Sequence, residues 1–475
     1  MNGSNLSAVK VRSLDDDSAR PERLIGVFER YQQAVTEERI AEMLKGRRAF
    51  SRKGPYSARL VTWMMIRQRL HPKGTLSVGV RELLSSPAEA FVQLTGKDPA
   101  VGLSANTSAY SQARSRVTLD LVEQVADLIF DSLLAQSRTV ASWDRPMFLL
   151  DGSSVLLSHN AELAAAYPPQ PNQHGESHWP IMRVVVAHDV VSGWAVRMGY
   201  GPMNGPQAVS EQGLAKEMMR RLPAGCGVMG DRNFGVFSMA YHAHEQNHPC
   251  LFRLMEVRAR KMNGGVTPSS KTDRAIQWMS SREDRRNNPE LPAQASVAGR
   301  LLAFNVFDEE GKKGKLYIFT TLDLTADQIL ELYGYRWNIE TDLRTLKRYV
   351  RLDMLDVKSK AMAEKELVIA VAAYNLTRAT IHDAATALNL NPRDFSYSMA
   401  QDTLNAFLPA FANASSEPER QQIARIMLRV LSQSKLPRRS ERRSFTREAW
   451  PRPCSFPSRK TAQKTGAAEK GKKVA

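Results

Sequence analysis

From Met147 onward the chain delivers one short apolar run after another, rich in β-branched residues and divided by turn signals: MFLLDGSSVLL, MRVVVAHDVVSG and GWAVRMGYG. Such side chains suit a pleated, packed surface, so three successive strands are expected. A helix-period segment (206–222), the run GVMG, the stretch FSMAYHAHEQ and the strand-like CLFRLM follow. Strands followed by alternating strand and helix imply a mixed α/β sheet covered by helices.

The flanks read differently. Helical periodicity marks ERLIGVFERYQQAVTEERIAEML (22–44) and DLVEQVADLIFDSLLAQ (120–136), so the first part of the chain is expected to be helical. A polar stretch beyond residue 256, then ASVAGRLLAFNVFD and KLYIFTTL, read as a β-rich insertion. Thr325 and Gln328 have capping-box spacing, which predicts one helix running through YGYRWNIETDLRTLK. Further helices are expected over 364–388 and 416–434, and a basic, disordered tail after Lys435. The expected division is 1–140 (helical), 141–255 (first part of the core), 256–322 (insertion), 323–390 (second part of the core), 391–434 (helical) and 435–475 (tail).

Charge narrows the partners. The 475 residues carry 66 Lys and Arg against 49 Asp and Glu, a net +17. An excess of this size favours polyanions, above all nucleic acid. The tail alone holds 13 basic and 3 acidic residues, so the charge of the remainder must be judged locally. Nine basic residues and no acidic one run from Lys45 to Lys73, Arg47, Arg48, Arg52 and Lys53 among them. That run is the candidate nucleic-acid face, against the plainer reading of a basic surface. No run approaches membrane-spanning length, and three scattered cysteines suggest neither disulfides nor a zinc site, so a cytoplasmic protein without a membrane partner is expected.

Chemistry concentrates in the Thr325 helix. At about 100° per residue, Tyr333, Arg336, Glu340 and Lys347 fall within about 60° of arc, beside an apolar face. Taken alone, this is equally a surface helix with ordinary charge neighbours. Asp151 in FLLDGSS and Asp231 in VMGDRNF lie in or at the end of apolar strands, where catalytic groups of α/β sheets gather. Each also suits a simple turn. Three carboxylates on three elements can hold two hard divalent cations, which activate an attacking oxygen and stabilise a leaving one at a phosphodiester.

The pattern Tyr333-x2-Arg336-x3-Glu340-x6-Lys347 resembles the Tyr-Arg-Glu-Lys signature of the DDE transposases of the bacterial insertion-sequence-four family. DGSS at 151 and GDRNF at 231 resemble that family's first and second aspartate motifs, in order, although Asn233 stands where a small residue is usual. The resemblance implies an α/β fold with a ribonuclease-H-like catalytic core, interrupted by the β-rich insertion and flanked by helical N-terminal and C-terminal regions. It implies that Asp151, Asp231 and Glu340 ligate two Mg²⁺ ions, with Mn²⁺ able to substitute, and that Tyr333, Arg336, Lys347 and Arg232 contact DNA. The implied partners are the terminal inverted repeats of an insertion sequence, target DNA and a second copy of the chain on that DNA, in a bacterial cytoplasm at the nucleoid. The rival readings are a catalytically silent end-binding regulator and a metal-dependent nuclease without strand transfer. Relatives that form hairpin intermediates use an insertion-domain tryptophan; Trp278 is the one tryptophan in this insertion, and a core role suits it better.

Overall fold

The sheet is built outward from β1 (Met147–Leu157). Its first four side chains are buried, Asp151 to Ser154 emerge half-exposed, and Val155 and Leu157 return to the core. The computed structural model describes residues 26–45, 55–86, 92, 103–135, 143, 145–172, 175–307 and 313–436. Arg47, Arg48, Arg52, Lys53 and nearly all of the tail lie outside them.

The other strands are β2 (Pro169–Asn172), β3 (Gly175–Asp189), β4 (Gly199–Pro202), β5 (Gly227–Gly230), β6 (Cys250–Leu254), β7 (Asp273–Met279), β8 (Ser296–Phe307), β9 (Lys313–Thr320) and β10 (Met354–Leu355). They form one ten-stranded sheet in the order β2-β3-β1-β5-β6-β9-β8-β7, with β4 on β3 and β10 on β1. Strands β1, β5 and β6 are mutually parallel, whereas β3 runs antiparallel to both β1 and β4. Strands β5 and β6 are buried along nearly their whole length, as expected of strands covered on both faces. Between β5 and β6 the helix Phe237–Glu245 makes a crossover, and the helix Glu211–Met219 packs on β3 and β4.

The insertion is not a separate layer. Strand β9 pairs antiparallel with β6, β8 with β9, and β7 with β8, so the same sheet continues through it. Strand β7 lies inside the stretch read as polar; its side chains are mostly exposed, so no alternation of apolar residues announces it. Trp278 is 7% exposed and packs edge-on against Phe319 and Phe237, which makes it a core residue.

The helix expected over 120–136 is present as Leu119–Leu134, whereas the described part of the one expected over 22–44 is broken in two. The 22–44 segment contains two, Val27–Ala34 and Glu37–Met43, the second capped by Thr36. Helices Ala58–Leu70 and Leu119–Leu134 pack against the long helix Lys360–Ala387. That last helix is buried around most of its circumference, which marks it as the spine of the helical part. A helix at Tyr397–Asn413, which contains Pro409, also packs on it; its periodicity does not stand out in the sequence. No helix among the described residues is long and apolar enough to cross a membrane.

The described part of the Lys45–Lys73 run is not the uniform polyanion face its composition suggests. Arg69 is buried and pairs with Glu366 at 2.6 Å, Arg67 pairs with Glu82 at 2.8 Å, and Arg59 donates to the Val35 carbonyl at 2.8 Å. These cations join helices to one another, and their acidic partners lie outside the run itself.

Candidate active site

Strand alternation gives β1 two working faces. Ser153 and Val155, on the Asp151 side, line a narrow gap together with Leu343, Leu346 and Lys347 of the helix Asn338–Arg348. Gly152 faces the other way, against Glu211 at the start of the Glu211–Met219 helix. Asp231 follows directly on β5, which is paired in parallel with β1. The two aspartates are therefore carried by neighbouring strands. Each has an oxygen held by a nearby backbone amide: Gly152 N–H donates to Asp151 Oδ1 and Asn233 N–H to Asp231 Oδ1, both at 2.8 Å.

Burial raises the Asp151 carboxyl to about 6; the Asp231 and Glu211 charges push the same way, while the Gly152 amide and Arg336 oppose. A carboxyl raised in the fold binds its proton more tightly there than in the unfolded chain, so this group favours the native state when protonated. Its contribution disfavours folding increasingly as pH rises from about 4 to about 6, the sign opposite to that of a salt-bridged aspartate.

The glutamate segment departs from the expected single helix. The chain is helical over Ala326–Gly334, tightens to a 3₁₀ turn at Tyr335–Trp337, and resumes as the helix Asn338–Arg348. The capping box of Thr325 and Gln328 is present at the start. A 3₁₀ turn advances about 120° per residue, so the stripe of Tyr333, Arg336, Glu340 and Lys347 is not the straight line of an ideal wheel.

Arg336 is the hub of what remains. Its guanidinium stands 3.7 Å from Glu340, stacks 4.5 Å from the exposed Trp337 ring, and bears electrostatically on Asp151 and Tyr333. Tyr333 is 7% exposed; burial raises its phenol, while Arg336 and Arg253 beside it act in the opposite direction. Lys347 lies over the Ser153 gap, and Arg232 is exposed next to Asp231. Among the described residues no three acidic, His or Cys side chains converge tightly enough to encircle an ion. The structure thus brings Asp151 and Asp231 together and leaves Glu340 with Arg336, on the same side of β1.

Two acidic residues that sequence spacing does not single out lie on helices that touch β1. Glu211 touches the backbone at Gly152. Asp342 is fully buried and accepts from Arg378 at 2.8 Å, Arg393 at 2.7 and 2.8 Å, and Tyr374 at 3.1 Å, with His188 3.8 Å away. Burial alone would raise the Asp342 carboxyl, but Arg393, His188 and Arg378 hold it below its ordinary value. Asp189, the rival carboxylate of the sequence, is a turn residue: its Oδ2 accepts from the Ser192 amide and hydroxyl, each at 2.7 Å.

Residues 142–376, which contain both aspartates and the Glu340 helix, match the transposase DDE domain. Through this domain the chain is similar to the DDE transposases, and through the relative that follows to those of the insertion-sequence-four family. The transposase InsG for insertion sequence element IS4 of Escherichia coli (strain K12) is 23% identical over 421 residues, covering 84% of this chain and 86% of its own. The transposase domain spans β1 through most of the Lys360–Ala387 helix, so the extra strands β7, β8 and β9 fall within it.

The donor set of the transposase domain suits a hard divalent cation. Asp151 and Asp231 offer carboxylate oxygens on adjacent strands, and the raised Asp151 carboxyl marks a place where a second negative charge is unfavourable without added positive charge. Asp151, Asp231 and, from across the Arg336 pair, Glu340 are the residues that could hold such ions.

Proposed function

We propose that this transposase binds the terminal inverted repeats of an insertion sequence, cleaves them by metal-dependent phosphodiester hydrolysis, and joins the freed 3′-hydroxyls to target DNA. The observation that carries the reading is the pair Asp151 and Asp231 on neighbouring parallel strands, covered on the Asp151 side by the helix that bears Glu340. The strand order β4-β3-β1-β5-β6, with β3 antiparallel to the rest, supports a ribonuclease-H-like core.

Bound Mg²⁺ or Mn²⁺ would supply Lewis acidity at the attacking and leaving oxygens. Asp151, Asp231 and Glu340 would hold the ions. Arg336, 3.7 Å from Glu340, would turn its charge to a DNA phosphate, with Tyr333, Lys347 and Arg232 as further backbone contacts. In the first step a water oxygen bonds to phosphorus and the bond to the 3′-oxygen breaks, releasing a 3′-hydroxyl. In the second that hydroxyl attacks a target phosphate and displaces its 3′-oxygen. Two ends must be held at once, so a homodimer on DNA belongs to the same proposal.

The test is incubation with Mg²⁺, labelled terminal-repeat DNA and a target plasmid. Joined product supports the transposase reading; cleavage without joining would favour a nuclease, and binding without cleavage a regulator. Metal affinity should also follow pH, because a carboxyl must lose its proton to ligate. Mn²⁺ affinity is expected to rise about fivefold between pH 5 and 6 and to level off above about 7, following the Asp151 carboxyl near 6. A titration that is flat over this range would remove Asp151 from the ligand set.

A further inference from the structure

We propose that Glu211 is a positioning residue for the two aspartates, acting through Asn233 and Gly152 from the face of the sheet opposite Asp151. The inference rests on the reading of Asp151 and Asp231 as cation ligands.

Glu211 opens the helix Glu211–Met219, whose start is fixed by Ser210: its hydroxyl accepts from the Gly213 amide at 2.9 Å. From there the carboxylate reaches two places at once. Its Oε2 accepts from Asn233 Nδ2 at 2.5 Å, and the next residue, Gln212, donates from Nε2 to the Asn233 carbonyl at 2.9 Å. Asn233 in turn donates its backbone N–H to Asp231 Oδ1. The helix start therefore grips, from two consecutive residues, the very turn that orients the second aspartate.

The other contact is with the first aspartate's strand. A Cβ on Gly152 would overlap the Glu211 carboxyl and Cγ, so this side chain lies directly on the β1 backbone next to Asp151. Strands β1 and β5 are joined by backbone pairing only up to Leu150 and Gly230. Beyond that point their carboxyl ends could splay, and Glu211 spans the ends that pairing no longer ties. Asn233 thereby acquires a purpose: a glycine there would offer Glu211 no side-chain donor.

The experiment measures Mn²⁺ binding to full-length, metal-free protein by electron paramagnetic resonance of the free ion, with thermal unfolding as a check on folding. Glu211→Ala and Asn233→Ala should each weaken binding about tenfold, in the range expected for groups that orient ligands without touching the metal. The double variant should fall no further, because both changes break one hydrogen bond. Glu211→Gln retains an acceptor for Asn233 and should stay within about threefold of the parent. Gly152→Ala, which displaces the carboxyl while leaving it in the chain, should reproduce the Glu211→Ala loss and decides the matter if Glu211→Ala fails to fold. Additive losses, or Glu211→Gln falling as far as Glu211→Ala, would overturn the proposal. If Asp151→Asn abolishes Mn²⁺ binding while Glu211→Ala leaves it intact, only this inference fails. Unchanged binding in Asp151→Asn would instead overturn the metal-site reading.

Discussion

Glu340→Gln is expected to lower Mg²⁺-dependent cleavage of terminal-repeat DNA by roughly 10³-fold or more while leaving end binding within about twofold. The substitution keeps shape and removes charge. The Glu340 side chain is 38% exposed and its one ion pair, to Arg336, is a 3.7 Å contact, so its loss costs the fold little. A cleavage defect can therefore be assigned to chemistry. Gel-shift binding and cleavage on the same preparation check the split. Cleavage within tenfold of the parent would remove Glu340 from the catalytic set and leave the aspartate pair to be completed by another group.

Asp342→Ala should destabilise the protein by about 3–5 kcal/mol, seen as a lower denaturation midpoint with an unchanged slope. The physical reason is asymmetry. Asp342 is the carboxylate to which Arg378 and Arg393 both donate, and removing it leaves the buried Arg378 and the part-buried Arg393 guanidiniums without their shared counter-charge. The pair of cations comes from the spine helix and from the 3₁₀ turn Pro392–Asp394, so three segments loosen together. Acid should act in the same direction. The Asp342 carboxyl is depressed, so its stabilisation holds above its unfolded pKa and fades as pH falls through the folded one. His188 is lowered to about 4, chiefly by burial, and is neutral in the fold, so protonation of the unfolded chain below about 6.5 adds to the loss. A destabilisation below about 1 kcal/mol would mean that the arginines find other partners.

What the sequence made legible follows from how local each signal is. Strands β1, β5, β6, β8 and β9 were readable because their apolar, β-branched residues serve both pairing and burial. Strand β7 was not, because a strand exposed along most of its length needs no apolar face. The Glu340 helix was placed correctly, but its interruption was not: the 3₁₀ turn at Tyr335–Trp337 reflects hydrogen-bond geometry that a wheel cannot register. Asp342 looked like one more polar residue two places beyond Glu340, since its four partners come from β3, the spine helix and the Pro392 turn. Arg69 was misjudged for the same reason; its partner Glu366 lies almost three hundred residues on. Motifs fixed by backbone position, DGSS and GDRNF, were visible at once, whereas the Glu211 contact that joins them has no spacing to announce it.

The continuation of the core sheet through β9, β8 and β7 has a bearing on how the chain avoids sticking to itself. Without those strands β6, CLFRL, would present a row of unpaired amides and carbonyls from a nearly wholly buried apolar segment. A sheet margin of that kind invites another chain to add a strand. The insertion moves the margin three strands outward, to DRAIQWM, where Asp273, Arg274 and Gln277 stand exposed and charge or polarity discourages further pairing. Trimming residues 256–322 to obtain a smaller nuclease core would therefore exchange a guarded margin for an adhesive one, and solubility would be lost before catalysis could be assayed.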